Sequence, residues 1–185
     1  MMPRRHLPFL IALLILLVSG PLFGFLPADG GEGEIRWRKN RRLTWDDFRG
    51  RPDRRSPMDA LTESGISFSW SCDYRGFQHE TYSMFVPDKS WVKEESDALL
   101  RHEQLHFDIT ELHARKIRKY FGELRYPCRL GQRGINSAAQ RLIRESSAMQ
   151  QRYDRETNHS LREEEQVRWE RYVARELTDL EPWAR

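Results

Sequence analysis

Cysteine is nearly absent from this 185-residue chain: only Cys72 and Cys128 occur. Neither sits at a metal-ligand spacing, and neither lies near residue 20, which argues against a lipoprotein anchor. An excess of one charge is lacking too, with 31 Lys and Arg against 28 Asp and Glu. Residues 1–28 hold Arg4 and Arg5 and no acid, so the remainder carries 29 basic residues to 28 acidic ones. No run of Lys and Arg exceeds four residues. Near-neutrality without a basic block argues against a nucleic-acid partner. Apolar residues are scarce at 38%, and residues 1–28 contain 18 of them. The body is therefore lean in hydrophobes, but its six Trp and other aromatics can still build a modest core. There are no internal repeats, and the length allows one domain with an appendage.

That appendage is the N-terminus. Arg4 and Arg5 precede an apolar stretch from Leu7 to Leu26, with Leu10–Val18 free of polar residues. A charged start followed by such a stretch has the layout of a secretory signal. It lacks an A-x-A cleavage site and approaches the roughly 20 residues that span a bilayer, so residues 1–28 read as a signal peptide or a membrane anchor. Both readings put the rest of the chain outside the cytoplasm, periplasmic or extracellular. There Cys72 and Cys128 are a candidate disulfide, the alternative being two buried free thiols.

Residues 29–33 form a Gly-rich linker, and 34–180 read as one domain that passes from strands to helices. Ile35–Trp37 suggests a short strand, and Leu43–Pro52 (LTWDDFRGRP) an ordered loop with a half-turn of helix. Gly65–Tyr74 alternates Ile66, Phe68, Trp70 and Cys72 with polar residues, a period of two. Arg75-Gly76 turns the chain into a return strand, Phe77–Val86, giving an antiparallel hairpin with one buried face. The period becomes helical from Ser90, which can cap, and Gly122 can stop that helix. Leu105, Ile109 and Leu112 form one apolar stripe and Ala114, Ile117 and Phe121 another, so this helix is buried around much of its circumference. After a loop with Pro127, Gly131 and Gly134, a second helix is expected over about 137–156. A third begins at the Ser160–Glu163 capping box and runs to about Leu177. The fold class expected is α+β: a small antiparallel sheet beside a zincin-like active-site helix and two further helices.

The chemistry sits at His102-Glu103-Gln104-Leu105-His106, an H-E-x-x-H pattern within the most strongly periodic helix. Residues i and i+4 lie about 40° apart around a helix, so both imidazoles project from one face and can share a cation. Glu103 lies about 100° further round, within reach of a water on that cation without ligating it. Zinc lowers the pKa of such a water toward about 7, and a carboxylate can take its proton as it attacks a carbonyl. In a chain of this composition the pattern arises by chance about once in 60 sequences, so coincidence is a weak explanation.

A catalytic zinc needs a third protein ligand and an open position. His113 lies seven residues past His106, about 10 Å along an unbroken helix and too far to share the ion. Position 112, where a three-histidine layout places its third His, is Leu. His6 is in the export segment, and His79 is expected to face solvent from its strand. Elimination leaves His159, at the corner between the second and third helices, with Asp154 and Glu145 as carboxylate competitors. Asp108 can accept an imidazole N–H from behind the metal, or it and Glu111 form surface salt bridges.

The segments LRHEQLHFDITELHAR (100–115), YDRETNHS (153–160) and LTWDDFRGRP followed by ALTESGISFSW resemble the bacterial domain-of-unknown-function 922 family. That family is described as predicted secreted zinc-dependent proteases of the H-E-x-x-H type. The resemblance covers about residues 34–175. It implies that His102 and His106 bind zinc and that Glu103 is the catalytic base. The family's Y-D-x-x-T-x-H-G stretch matches Tyr153, Asp154, Thr157 and His159, with Ser160 in place of Gly; because Ser caps helices better than Gly, the exchange is expected to matter little.

The expected function is an exported metallopeptidase holding one Zn2+ through His102, His106 and His159, with Glu103 as general base and a peptide or protein as substrate. In such enzymes a sheet edge aligns the peptide, and Phe77–Val86 is the candidate here. The rival readings are a non-catalytic, zinc-stabilised envelope module and a zinc hydrolase of non-peptide amides.

Overall fold

A computed structural model describes residues 33–184. The expected export segment 1–28, with its apolar stretch 7–26, and residues 29–32 of the expected linker lie outside the described residues. Among those described, no helix is long and apolar enough to cross a membrane.

The chain runs through β1 (Ile35–Arg36), β2 (Ala60–Leu61), β3 (Ser64–Asp73), β4 (Gly76–Phe85) and β5 (Trp91–Val92), then α1 (Asp97–Glu123), α2 (Gly131–Thr157) and α3 (Glu163–Asp179). The fold is α+β, a small antiparallel sheet packed beside a long helix and two further helices. Period-two alternation produces the β3–β4 hairpin, in register from Ser64 opposite Phe85 to Asp73 opposite Gly76. Gly76 takes φ +94°, a left-handed conformation that glycine adopts without a Cβ clash. The inner face, Ile66, Phe68, Trp70 and Phe77, packs on Ile117, Phe121, Ile135, Ala139 and Leu142. His79 belongs to this face. Its ring lies 5.5 Å from Phe77 and 5.9 Å from Phe121, so it does not face solvent as its strand position suggests.

Strand order is β1-β4-β3, which makes β4 the middle strand. The expectation that Phe77–Val86 offers the peptide-aligning edge is therefore corrected: the outer strands are β1, of two residues, and β3, of ten. A second ladder, β2 with β5, was not legible in the sequence. It also moves the start of α1. Ser90 is buried, its hydroxyl donating to the Val86 carbonyl and accepting from the Glu63 N–H, so it holds a strand turn and does not cap a helix. Ser96 caps instead, accepting from the Leu99 N–H.

Seventeen of the 27 residues of α1 are buried, on nearly every side. Leu105 and Ile109 meet Tyr153, Trp169 and Val173, while Phe107 meets Leu43, Phe48 and Phe85. Gly122 does not stop the helix. It lies inside the last turn beneath the Trp183 ring, where a Cβ would collide with the indole. Gly134 is likewise inside α2, because the 3-10 turn Pro127–Leu130 runs directly into that helix and Leu130 packs over the glycine. Cys72 and Cys128 are disulfide-bonded, tying the hairpin tip to that turn, and both are exposed.

His113 lies on the same side of α1 as His102 and His106 but about two turns beyond His106, 2% exposed, and its Nδ1–H donates to the Ile109 carbonyl. Burial lowers its pKa from 6.5 to about 4. The unfolded chain therefore binds more protons between those values, and His113 stabilises the fold above pH 6.5 but progressively less as pH falls toward 4. We predict that wild type loses on the order of 3 kcal/mol more than His113→Gln between pH 7 and pH 4, measured by urea denaturation. Equal losses would refute this account.

Candidate metal centre

Helical spacing stacks His102 above His106 on the face of α1 that meets α2 and α3. Their Nε2 atoms are 3.2 Å apart and the rings stand edge to face. From α2, Asp154 brings Oδ1 to 2.9 Å from His106 Nε2 and 3.3 Å from His102 Nε2. From the corner beyond, His159 Nδ1 lies 3.8 Å from the same oxygen. Ligand atoms of His102, Asp154 and His159 all fall within 4.8 Å of one another, a group that can hold a metal ion.

The chemistry of these donors fits a cation. Asp154 Oδ1 is buried, and neither imidazole contact aligns as a hydrogen bond to it. Each imidazole is held by its other nitrogen. His106 Nδ1–H donates to Gln150 Oε1 at 2.6 Å, and His102 Nδ1–H donates to Gln166 Oε1 at 3.3 Å. The Nε2 lone pairs are thus turned toward each other and toward a carboxylate, an arrangement that repels unless a positive charge sits among them. The electrostatics agree. Burial opposes a charged His106, but the Asp154 carboxylate outweighs it and raises the pKa from 6.5 to about 9. Burial likewise opposes a charged Asp154, and the His106 and His102 rings outweigh it, holding the carboxyl far below its usual range. A proton or a metal ion can supply that charge.

Glu103 is 3% exposed and opens, with His106 and Asp154, onto a cleft of about 120 Å³. The first residues of β3, Ser64 to Ile66, form one wall, and Ile143, Ser147 and Gln150 of α2 form the other. Two larger hollows, of about 410 and 470 Å³, flank α3 and contain no histidine. Chemistry therefore marks the smaller cleft.

Other candidates fall elsewhere. Asp108 does not touch an imidazole: its carboxylate accepts from Trp37 Nε1, Gln104 Nε2 and Arg42 Nη1. With Gln104 Oε1 accepting from the Leu43 N–H, it fastens the aromatic loop after β1 to α1. Glu111 is no surface residue but a buried partner of Ser83, Arg115 and Arg118. Glu145 is exposed and paired with Arg141. Asp154 stands beside the Nε2 atoms and not behind a ring. Sequence reasoning missed Gln150 and Gln166. Gln150 precedes Asp154 by four residues and so shares its helix face, a readable signal; Gln166 had none.

The corner carrying His159 differs from expectation. Asn158, His159 and Ser160 are three successive residues with positive φ, at 49°, 54° and 74°. Ser160 therefore caps nothing, and α3 starts at Glu163 after Arg162, without a side-chain cap. The chain closes α2 with backbone bonds instead, from the His159 N–H to the Asp154 carbonyl and from the Arg162 N–H to the Thr157 carbonyl. These bonds require left-handed residues.

Residues 87–160 match the model of a family described as "Bacterial protein of unknown function (DUF922)", the family that the sequence motifs resemble. The match spans His102, Glu103, His106, Asp154 and His159, and stops short of α3. No curated protein and no solved structure matches the chain.

At φ 74°, Ser160 occupies a position where glycine is relaxed and a Cβ is strained. The exchange from the family's Gly is thus a cost and not an improved cap. Ser160→Gly is expected to stabilise the protein by about 1 kcal/mol in urea denaturation. A neutral or destabilising outcome would contradict the left-handed assignment.

Proposed function

We propose that this chain, whose residues 87–160 match that family, is an exported metal-dependent hydrolase, specifically a zinc metallopeptidase. One observation carries the reading: two imidazole Nε2 atoms and a buried carboxylate oxygen face one another beside Glu103, at the floor of an open cleft. His102, His106 and Asp154 form the inner donor set. His159, with a side chain 48% exposed, is the outer and exchangeable donor. Nitrogen and carboxylate donors in this number suit zinc. When bound, zinc polarises the substrate carbonyl and acidifies water for attack.

The residues of the chain supply the rest. Glu103 accepts the proton of the attacking water and returns it to the leaving amine. The outer edge of β3 presents unpaired backbone groups, to which an extended peptide can add as a further strand along the cleft wall. Ile66 and Ile143 from opposite walls displace water from around the scissile bond. The Cys72–Cys128 bond accords with export directed by residues 1–28, with residues 7–26 as a tether if that segment is retained.

A second reading has its own observation. His102, Asp154 and His159, whose ligand atoms lie within 4.8 Å of one another, can close a structural site, as in a zinc-stapled envelope module without activity. The two diverge on Glu103, which a closed site does not need. The purified protein is expected to bind about one zinc per chain and to cleave members of a peptide library. Glu103→Gln should retain the metal and lose about 10²–10⁴-fold in rate. Asp154→Ala should abolish zinc binding, while His159→Ala should only weaken it. Unchanged cleavage by Glu103→Gln, or stoichiometric zinc in Asp154→Ala, would sink the assignment.

A further inference from the structure

The glutamines behind the two imidazoles are themselves locked. Gln150 Nε2 donates to the His106 carbonyl at 2.9 Å and to Thr110 Oγ1 at 3.2 Å, so only its Oε1 end can face the His106 ring. Gln166 Nε2 donates to Glu170 Oε1 at 3.0 Å, and that carboxylate is anchored by Arg101. Gln166 Oε1 then accepts from both His102 Nδ1–H and the Tyr153 hydroxyl, the latter at 2.6 Å. Tyr153 is buried and stacks on the His102 ring with centroids 4.5 Å apart. Both amide orientations are thus fixed by groups other than the imidazole rings, and each fixes one tautomer: hydrogen on Nδ1, lone pair on Nε2.

We propose that Gln150 and Gln166 are positioning residues that hold His106 and His102 ready for a metal, and that Tyr153 acts on the site through Gln166. The inference rests on the metal-binding reading above. The acceptors are amides where carboxylates are the common choice, so the imidazoles are oriented without added negative charge. A metal held this way keeps more of its own charge for polarising a substrate. Arg101–Glu170–Gln166–Tyr153 also links α3 to α1 and α2, so the third helix takes part in the site without supplying a ligand.

The test is zinc affinity by chelator competition, with the absorption bands of the Co2+-loaded protein as a record of ligand geometry. Gln166→Met and Gln150→Met should each bind zinc about 10–100-fold more weakly and shift the cobalt bands. Tyr153→Phe should cause a smaller loss in the wild-type background and a still smaller one in Gln166→Met, because the shorter of its hydroxyl's two bonds is to that amide and only the 3.2 Å bond to the His102 carbonyl remains. Leu142→Ala, a core truncation in α2 outside the imidazole contacts, should lower stability and leave zinc affinity and cobalt bands unchanged. Wild-type affinity in both glutamine variants, or additive losses for Tyr153→Phe and Gln166→Met, would overturn the inference. So would equal zinc loss in Leu142→Ala, which would mark the effect as general destabilisation. Should Gln166→Met not fold, Gln150→Met and Tyr153→Phe decide it alone, and wild-type affinity in both overturns it. If the wild-type protein binds neither metal, the metal reading and this inference both fall; if wild type binds and the variants match it, only this inference does.

Discussion

Glu111 is a carboxylate with 3% exposure in the middle of α1, and its charge has to be met inside the protein. Arg115 and Arg118 meet it from one and two turns further along, and the Ser83 hydroxyl donates from β4. Leaving such a charge unpaired costs about 3–5 kcal/mol, so the network fixes the rotation of α1 against the sheet. Both arginines reach onward. Arg118 donates to the Thr81 and Trp183 carbonyls, and Arg115 to the Leu177 carbonyl at the end of α3. Nine residues separate His102 from Glu111, which puts them on roughly opposite sides of the helix. Orienting one therefore orients the other. The sheet wall, the α3 wall and the histidine face are registered to each other through that single buried carboxylate.

The site is consequently an intersection of separate parts of the chain. α1 provides two imidazoles and a carboxylate, α2 provides Asp154 and Gln150, the corner provides His159, and α3 provides Gln166. Only α1 contributes a contiguous motif. Tertiary packing has to deliver the others, and Tyr153, shared between the Trp169 and Val173 cluster and the His102 ring, is completely enclosed where these elements meet.

What the sequence reveals follows the range of the interactions. The hairpin was legible because period two is a local property of Gly65–Tyr74, and the histidine pair because i,i+4 is local to a helix. Ser90 misled because a two-residue ladder with Ala60 and Leu61 has no periodicity of its own. Gly122 looks like a helix stop and Gly134 like part of a loop until the ring and the side chain that cover them, Trp183 and Leu130, are known. Ser160 and Glu163 spell a capping box, but the backbone bonds that close α2 override it. Asp108 and Glu111 fit any surface helix by pattern, and only the strands and loops packed on α1 show which charges are buried. Asp154 and His159 could be shortlisted from sequence, yet which atom faces which ring is a fact of packing.

The bond between Cys72 and Cys128 closes a covalent ring that contains β4, β5 and the whole of α1. A proteolytic cut anywhere between those cysteines opens the ring without dividing the molecule. The H-E-x-x-H helix stays attached on both sides to the strand and the helix that form its cleft walls. A nicked chain would run as one species until its disulfide is reduced, and would keep the H-E-x-x-H segment tethered beside its partners. After such a cut, the exposed bond still holds in place the one helix that supplies both histidines of the motif.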